Sequence, residues 1–251
     1  MSVFDLQKRQ EAIKFVLEKR AIAKAPVLRV GAAFDVSGSA KHLFTGGTMQ
    51  QTVDRLLPVA MRFDDNGEMD VWSFDHSFNQ LATVGKMDYE DYIQREVMGN
   101  DKISKWGSTN YGGVMDAMAQ FYFPRARPAA AVAAAATGFM GKLFGKPAPA
   151  PVAAPAPASG AKLVPAMALF ITDGANNDRA SAQAVLRASV DVPVYWQLIG
   201  VGNPREFTFL EEMADELPHV GFVHLASLAL TDEQLYDKLL SDELCTWMKK
   251  F

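Results

Sequence analysis

Three separated stretches of the chain carry oxygen-bearing side chains where chemistry could follow. Asp35-Val36-Ser37-Gly38-Ser39 closes an apolar run at 27–34, Thr109 lies in Trp106-Gly107-Ser108-Thr109-Asn110-Tyr111-Gly112-Gly113, and Asp173 follows Phe170-Ile171-Thr172. A carboxylate at the rim of a core is costly unless something satisfies it. The set Asp35, Ser37, Ser39, Thr109 and Asp173 contains no imidazole and no thiol, so its donors suit a hard divalent cation. Magnesium, which takes near-octahedral oxygen at about 2.1 Å, is the first expectation, with calcium and manganese as alternatives. The three hydroxyls can ligate directly, while the two aspartates hold coordinated waters and orient the hydroxyls. With mostly neutral ligands the ion stays electrophilic and open to an incoming carboxylate.

The elements that must position these groups alternate. Continuous apolar runs at 27–34, 165–172 and 194–201 read as parallel strands covered on both faces. Residues 69–74 form another strand, paired with 78–84 as a hairpin, and 220–225 a last one. Helical spacing marks 4–22, 48–63 (with Thr48 as N-cap), 87–97, 112–123, 179–189, 207–217 and a helix opening at Thr231. The predicted fold class is therefore a doubly wound α/β, mostly parallel Rossmann-like sheet flanked by helices. In such a sheet ligands bind beyond the carboxyl ends of the strands, where all three polar stretches fall. The domain expectation is an N-terminal helix at 1–24 and a main domain at 25–251, interrupted by a flexible Ala/Pro-rich insertion at 125–162. Within the insertion, 129–144 reads as a linker with transient helicity in preference to a docking or membrane-surface peptide.

Asp35-x-Ser37-x-Ser39, then Thr109, then Asp173-Gly174 resembles the metal-ion-dependent adhesion site of von Willebrand factor type A (vWA) domains. The resemblance covers roughly 25–240. Within that superfamily Arg62-Phe-Asp-Asp-Asn-Gly-Glu-Met-Asp-Val-Trp-Ser-Phe74 and the Thr-x-Tyr-Gly context of 109–112 are similar to the bacterial tellurium-resistance branch and to the copine A domain. What the resemblance implies is metal-dependent binding of another protein that presents an acidic side chain to the ion, within a stress-response complex. The Ala/Pro insertion departs from the usual pattern.

Other functions fit less well. A net charge of −4 with scattered basic residues argues against nucleic acid. The single cysteine, Cys245, excludes an internal disulfide and suits a reducing cytoplasm; it reads as an apolar filler. No secretory signal and no spanning segment is expected. A haloacid-dehalogenase-type phosphohydrolase needs a second acid where Ser37 stands. Gly141 to Lys146 has the wrong spacing for a P-loop, Arg205 replaces the third glycine of a dinucleotide fingerprint, and Arg62 stands where a calcium loop needs an acid five residues before its glycine, here Gly67. The four histidines match no zinc spacing. The expectation is a binding module and not an enzyme, with a Mg-dependent phosphohydrolase-like enzyme or a metal-independent scaffold as alternatives.

Overall fold

The computed structural model describes residues 3–124, 163–174, 176–226 and 230–251. In chain order the elements are α1 (Val3–Lys19), β1 (Arg29–Asp35), α2 (Lys41–Thr45), α3 (Thr48–Phe63), β2 (Asp70–Phe74), β3 (Phe78–Gln80) and α4 (Gly112–Tyr122). Then come β4 (Ala166–Thr172), α5 (Arg179–Ala188), β5 (Val194–Val201), α6 (Thr208–Glu216), β6 (Val220–Leu225), α7 (Asp232–Leu239) and α8 (Asp242–Met248). The sheet runs β3-β2-β1-β4-β5-β6, and all pairings are parallel except β2 with β3. From β1 the chain moves first to β2 on one side and later to β4 on the other. Strand order thus reverses between β1 and β4, and a crevice opens at their carboxyl ends.

Both faces of the sheet are buried, which explains the unbroken apolar runs. In β4, Met167, Leu169 and Ile171 join the core under α1, α3, α7 and α8, while Ala166, Ala168 and Phe170 join the core under α4, α5 and α6. Helix α3 presents Val53, Leu56, Leu57 and Ala60 as a buried stripe at helical spacing. Pro58 lies inside that helix and cannot donate to the Asp54 carbonyl one turn back. That carbonyl instead accepts Nη1–H of Arg9 at 2.8 Å, and Arg9 also pairs with Asp232, so α1 is fastened to α3 and α7. On the opposite face Gly112 allows a close crossing: a Cβ there would come within 2.2 Å of Ser181 Oγ on α5.

Several local expectations are corrected. Residues 87–97 do not form one continuous helix: Asp91 takes a left-handed φ of 54°, and helical structure begins only at 92, as a short turn that is π-helical over Gln94–Met98. Tertiary contacts win there, because the Gln50 amide donates to the Tyr89 carbonyl and accepts from Ile93 N–H, both at 2.9 Å. Thr48 does not cap α3; left-handed Gly47 occupies that position and separates α3 from α2. Lys41 and His42 open a short helix, α2, directly after the Asp-x-Ser-x-Ser turn. The C-terminal helical region is two helices, the first opened by a reciprocal cap between Thr231 and Gln234. The Ala/Pro insertion and its 129–144 segment lie outside the described residues. No helix among the described residues is long and apolar enough to cross a membrane.

Candidate metal centre

The carboxyl ends of β1 and β4 bring four of the five expected side chains into one hydrogen-bonded run. Asp35 Oδ1 accepts the Ser37 N–H at 2.8 Å, which turns the chain sharply after β1. Ser37 Oγ lies 3.1 Å from Ser39 Oγ, and Ser39 Oγ donates to Asp173 Oδ1 at 3.0 Å. Thr109 stands on the adjoining loop and is buried; it joins through its backbone, its carbonyl accepting Asn177 N–H at 2.9 Å. Its hydroxyl is not part of the run.

The electrostatics of this rim are lopsided. Burial pushes the Asp35 carboxyl up to about 6, although hydrogen bonds from Ser37 and Thr172 favour its charged form. Burial also pushes Asp173 upward, against the stabilising bond from Ser39. Neither carboxylate forms an ion pair with a lysine or arginine among the described residues. A positive charge placed between them would relieve both shifts. Oxygen donors of two kinds, with two carboxylates that no lysine or arginine among the described residues pairs, fit a hard divalent ion. No group of three or more His, Cys, Asp or Glu side chains converges among the described residues, so any centre here depends on the hydroxyls.

A second layer of side chains holds the rim in shape. Thr172 donates to Asp35 Oδ2 at 2.6 Å and lies 3.0 Å from the Tyr111 hydroxyl, which in turn bonds the Gly174 carbonyl. All three loops are thereby linked through one buried hydroxyl. Asp75, fully buried at the end of β2, accepts Ser77 N–H, Ser104 Oγ–H and Gly107 N–H at 2.9, 2.9 and 3.1 Å. A Cβ at Gly107 would meet His76 Nδ1 at 2.2 Å and Asp75 Oδ2 at 2.7 Å, so only glycine lets this loop lie so close. Trp106, at a φ of 71°, gives its N–H to the Val36 carbonyl at 2.7 Å and packs edge-on against Phe44. His42 Nδ1–H donates to the Ser39 carbonyl at 2.7 Å, which ties α2 to the rim.

Sequence reasoning missed Thr172, Tyr111, Asp75 and Asp178. For Asp75 a signal existed: Asp75-His76-Ser77 repeats the Asp-x-Ser spacing of Asp35-Val36-Ser37, and both aspartates accept the serine N–H in the same way. Asp178 stands at the N-terminus of α5 yet makes no cap there. Its carboxylate reaches across to α4, accepting Tyr111 N–H and Gly112 N–H at 2.8 Å each.

The chain matches the family described as the vWA domain found in the TerF C terminus over residues 27–140 and 148–251. It belongs to the TerF-like vWA family. Among relatives of this TerF-like vWA chain, the Bacillus subtilis (strain 168) protein YcbR, itself uncharacterized, is 32% identical over 255 residues, spanning 100% of this chain and 88% of that one. Proximal thread matrix protein 1 from the mussel byssus superposes with a TM-score of 0.56 at 18% identity. That match covers 88% of this chain but 48% of the mussel protein, so the chain spans about half of its length. An aerotolerance-related membrane protein from Bacteroides fragilis superposes at 0.52 with 13% identity, over 89% of this chain and 100% of that one. At such identities the likeness is one of fold.

Proposed function

We propose that this vWA domain is a metal-dependent protein-binding module, with Asp35, Ser37, Ser39, Thr109 and Asp173 holding a divalent cation, magnesium first. The observation that carries the reading is the run from Asp35 through Ser37 and Ser39 to Asp173, two carboxylates without a lysine or arginine partner among the described residues, linked through the Ser37 N–H and the two serine hydroxyls. Bound there, a dication supplies a Lewis-acidic position for a carboxylate from a partner protein. The chain's own part is positional. Asp35 fixes the turn that aims the two serines, Thr172 keeps the Asp35 carboxylate in place, and the loops at 40–47, 110–112 and 174–178 frame the approach. Contact through the ion would anchor a partner more firmly than exposed ion pairs, worth about 0–1 kcal/mol each. The TerF-like family supports a tellurium-resistance or other stress-response setting and a reading as binder rather than enzyme.

A metal-independent scaffold is the second reading, favoured by one fact: the rim oxygens already hydrogen-bond one another. Calorimetric titration of magnesium into chelator-treated protein separates the two. The parent is expected to bind, and the exposed Ser39→Ala variant, which leaves the core untouched, to bind about 10–100-fold more weakly. Absence of binding in the parent, for manganese and calcium as well, would leave the scaffold reading.

A further inference from the structure

A separate pocket of about 220 Å³ opens beside this rim, between the β2–β3 hairpin and the start of α4 and α5. Its apolar wall is Phe78, Val114 and Val185, and its polar wall carries the carboxylates of Asp116 and Asp178. No lysine or arginine lines it. Asp116 Oδ2 accepts the Gln120 amide at 2.5 Å, while its Oδ1 has no hydrogen-bond partner among the described residues. Asp178 receives three N–H groups, from Tyr111, Gly112 and Asn176, and a carboxylate offers about four acceptor sites. The pocket thus offers negative charge at one side and a hydrocarbon surface at the other.

Size narrows the occupant. Pockets for drug-sized ligands run about 300–1,000 Å³, so this one suits a single side chain better than a cofactor. A long basic side chain matches its two walls, burying an aliphatic stem while the charged head meets the carboxylates. The Phe78 ring adds a surface that favours a cation. The pocket also shares its two loops with the proposed metal centre: Asn110 adjoins Thr109, and Asp178 ends the loop that begins at Asp173.

We infer that this pocket receives a lysine or arginine side chain from a protein partner bound at the strand ends. The inference rests on the partner-binding reading for its context, but the pocket's cation preference stands apart from any metal. The test is a two-dimensional amide NMR titration in chelator with N-acetyl-arginine amide and N-acetyl-lysine amide, using N-acetyl-glutamine amide as the neutral control. The cationic probes are expected to shift the amides of Gly113 and Ser181 saturably, and the neutral probe to leave them unmoved. Asp116→Asn is expected to weaken binding at least several-fold. Ala184→Leu, placed on an exposed lining residue of α5, is expected to block the pocket without disturbing the core. Equal shifts from the neutral probe, unchanged binding in Asp116→Asn, or no response to the cations would each overturn the inference. Because chelator is present throughout, none of these results depends on the metal centre, which magnesium titration tests alone.

Discussion

Thr172 is a single hydroxyl with three obligations. It donates to the buried Asp35 carboxylate, lies against Tyr111 Oη and accepts the Gly174 N–H at 3.3 Å. A hydrogen bond to a charged group contributes more than one between neutral groups, about 1.5–3 kcal/mol. Thr172→Val keeps the shape and removes the donor. Urea unfolding at pH 7.5 in chelator is expected to show a loss of about 2 kcal/mol. The loss should shrink toward pH 5, because Asp35, raised to about 6 by burial, is then largely protonated and asks less of its donors. A deficit of equal size at both pH values would mean that Thr172 acts through packing and not through the Asp35 charge.

At the scale of elements, α4 begins without a capping side chain of its own, since Tyr111 precedes it. Asp178 supplies the missing acceptor from across the crevice, which fixes the start of α4 and the Thr109 loop relative to α5. Loss of a helix N-cap typically costs about 1 kcal/mol, with an upper range near 2. Asp178→Ala is expected to lower stability by that amount in thermal melts, and Asp178→Asn, which keeps one acceptor oxygen, by less. Equal losses in both would point to the charge itself. This contact also shows where sequence reading stops. The strands at 165–172 and 194–201 were legible because burial on both faces leaves a continuous apolar run, and the Asp-x-Ser-x-Ser turn because its spacing is local. Asp178 looks like the cap of its own helix, and only the crossing of α4 over α5 at Gly112 reveals the helix it serves. Residues 87–97 misled for a related reason: their periodicity is helical, but Gln50, some forty positions earlier, claims two of their backbone groups. Asp35, Ser37, Ser39 and Asp173 come together as their positions suggested. Thr172, between them and buried, reads in sequence merely as the last residue of a strand.

Across the whole molecule, His219 joins three elements: its Nε2 lies 3.0 Å from the Leu186 carbonyl of α5 and 3.1 Å from Ser189 Oγ, which accepts Trp196 Nε1–H from β5. Burial holds the His219 imidazole below its usual pKa. The unfolded chain, titrating near 6.5, therefore takes up a proton that the folded protein resists, and stability falls as pH drops below about 6.5. Asp35 and Asp173, raised by burial, work in the opposite sense, losing stability as pH rises. The contribution of His219 is isolated by comparing parent with His219→Gln: between pH 7.5 and 5.5 the parent's unfolding free energy is expected to decline relative to the variant's, and parallel curves would refute it. One further property follows from the sheet. Tyr122, where α4 ends, bonds Asp70 at the start of β2, and Leu163 leads into the start of β4, so the residues flanking 125–162 on either side lie at the rim opposite the strand ends. Strands of seven residues separate the two rims by roughly 20 Å. Extra chain length at such a position adds closure entropy only logarithmically. The fold thereby carries a built-in splice point: a fluorescent reporter or affinity handle joined at residues 124 and 163 would be attached at the pole away from the strand ends.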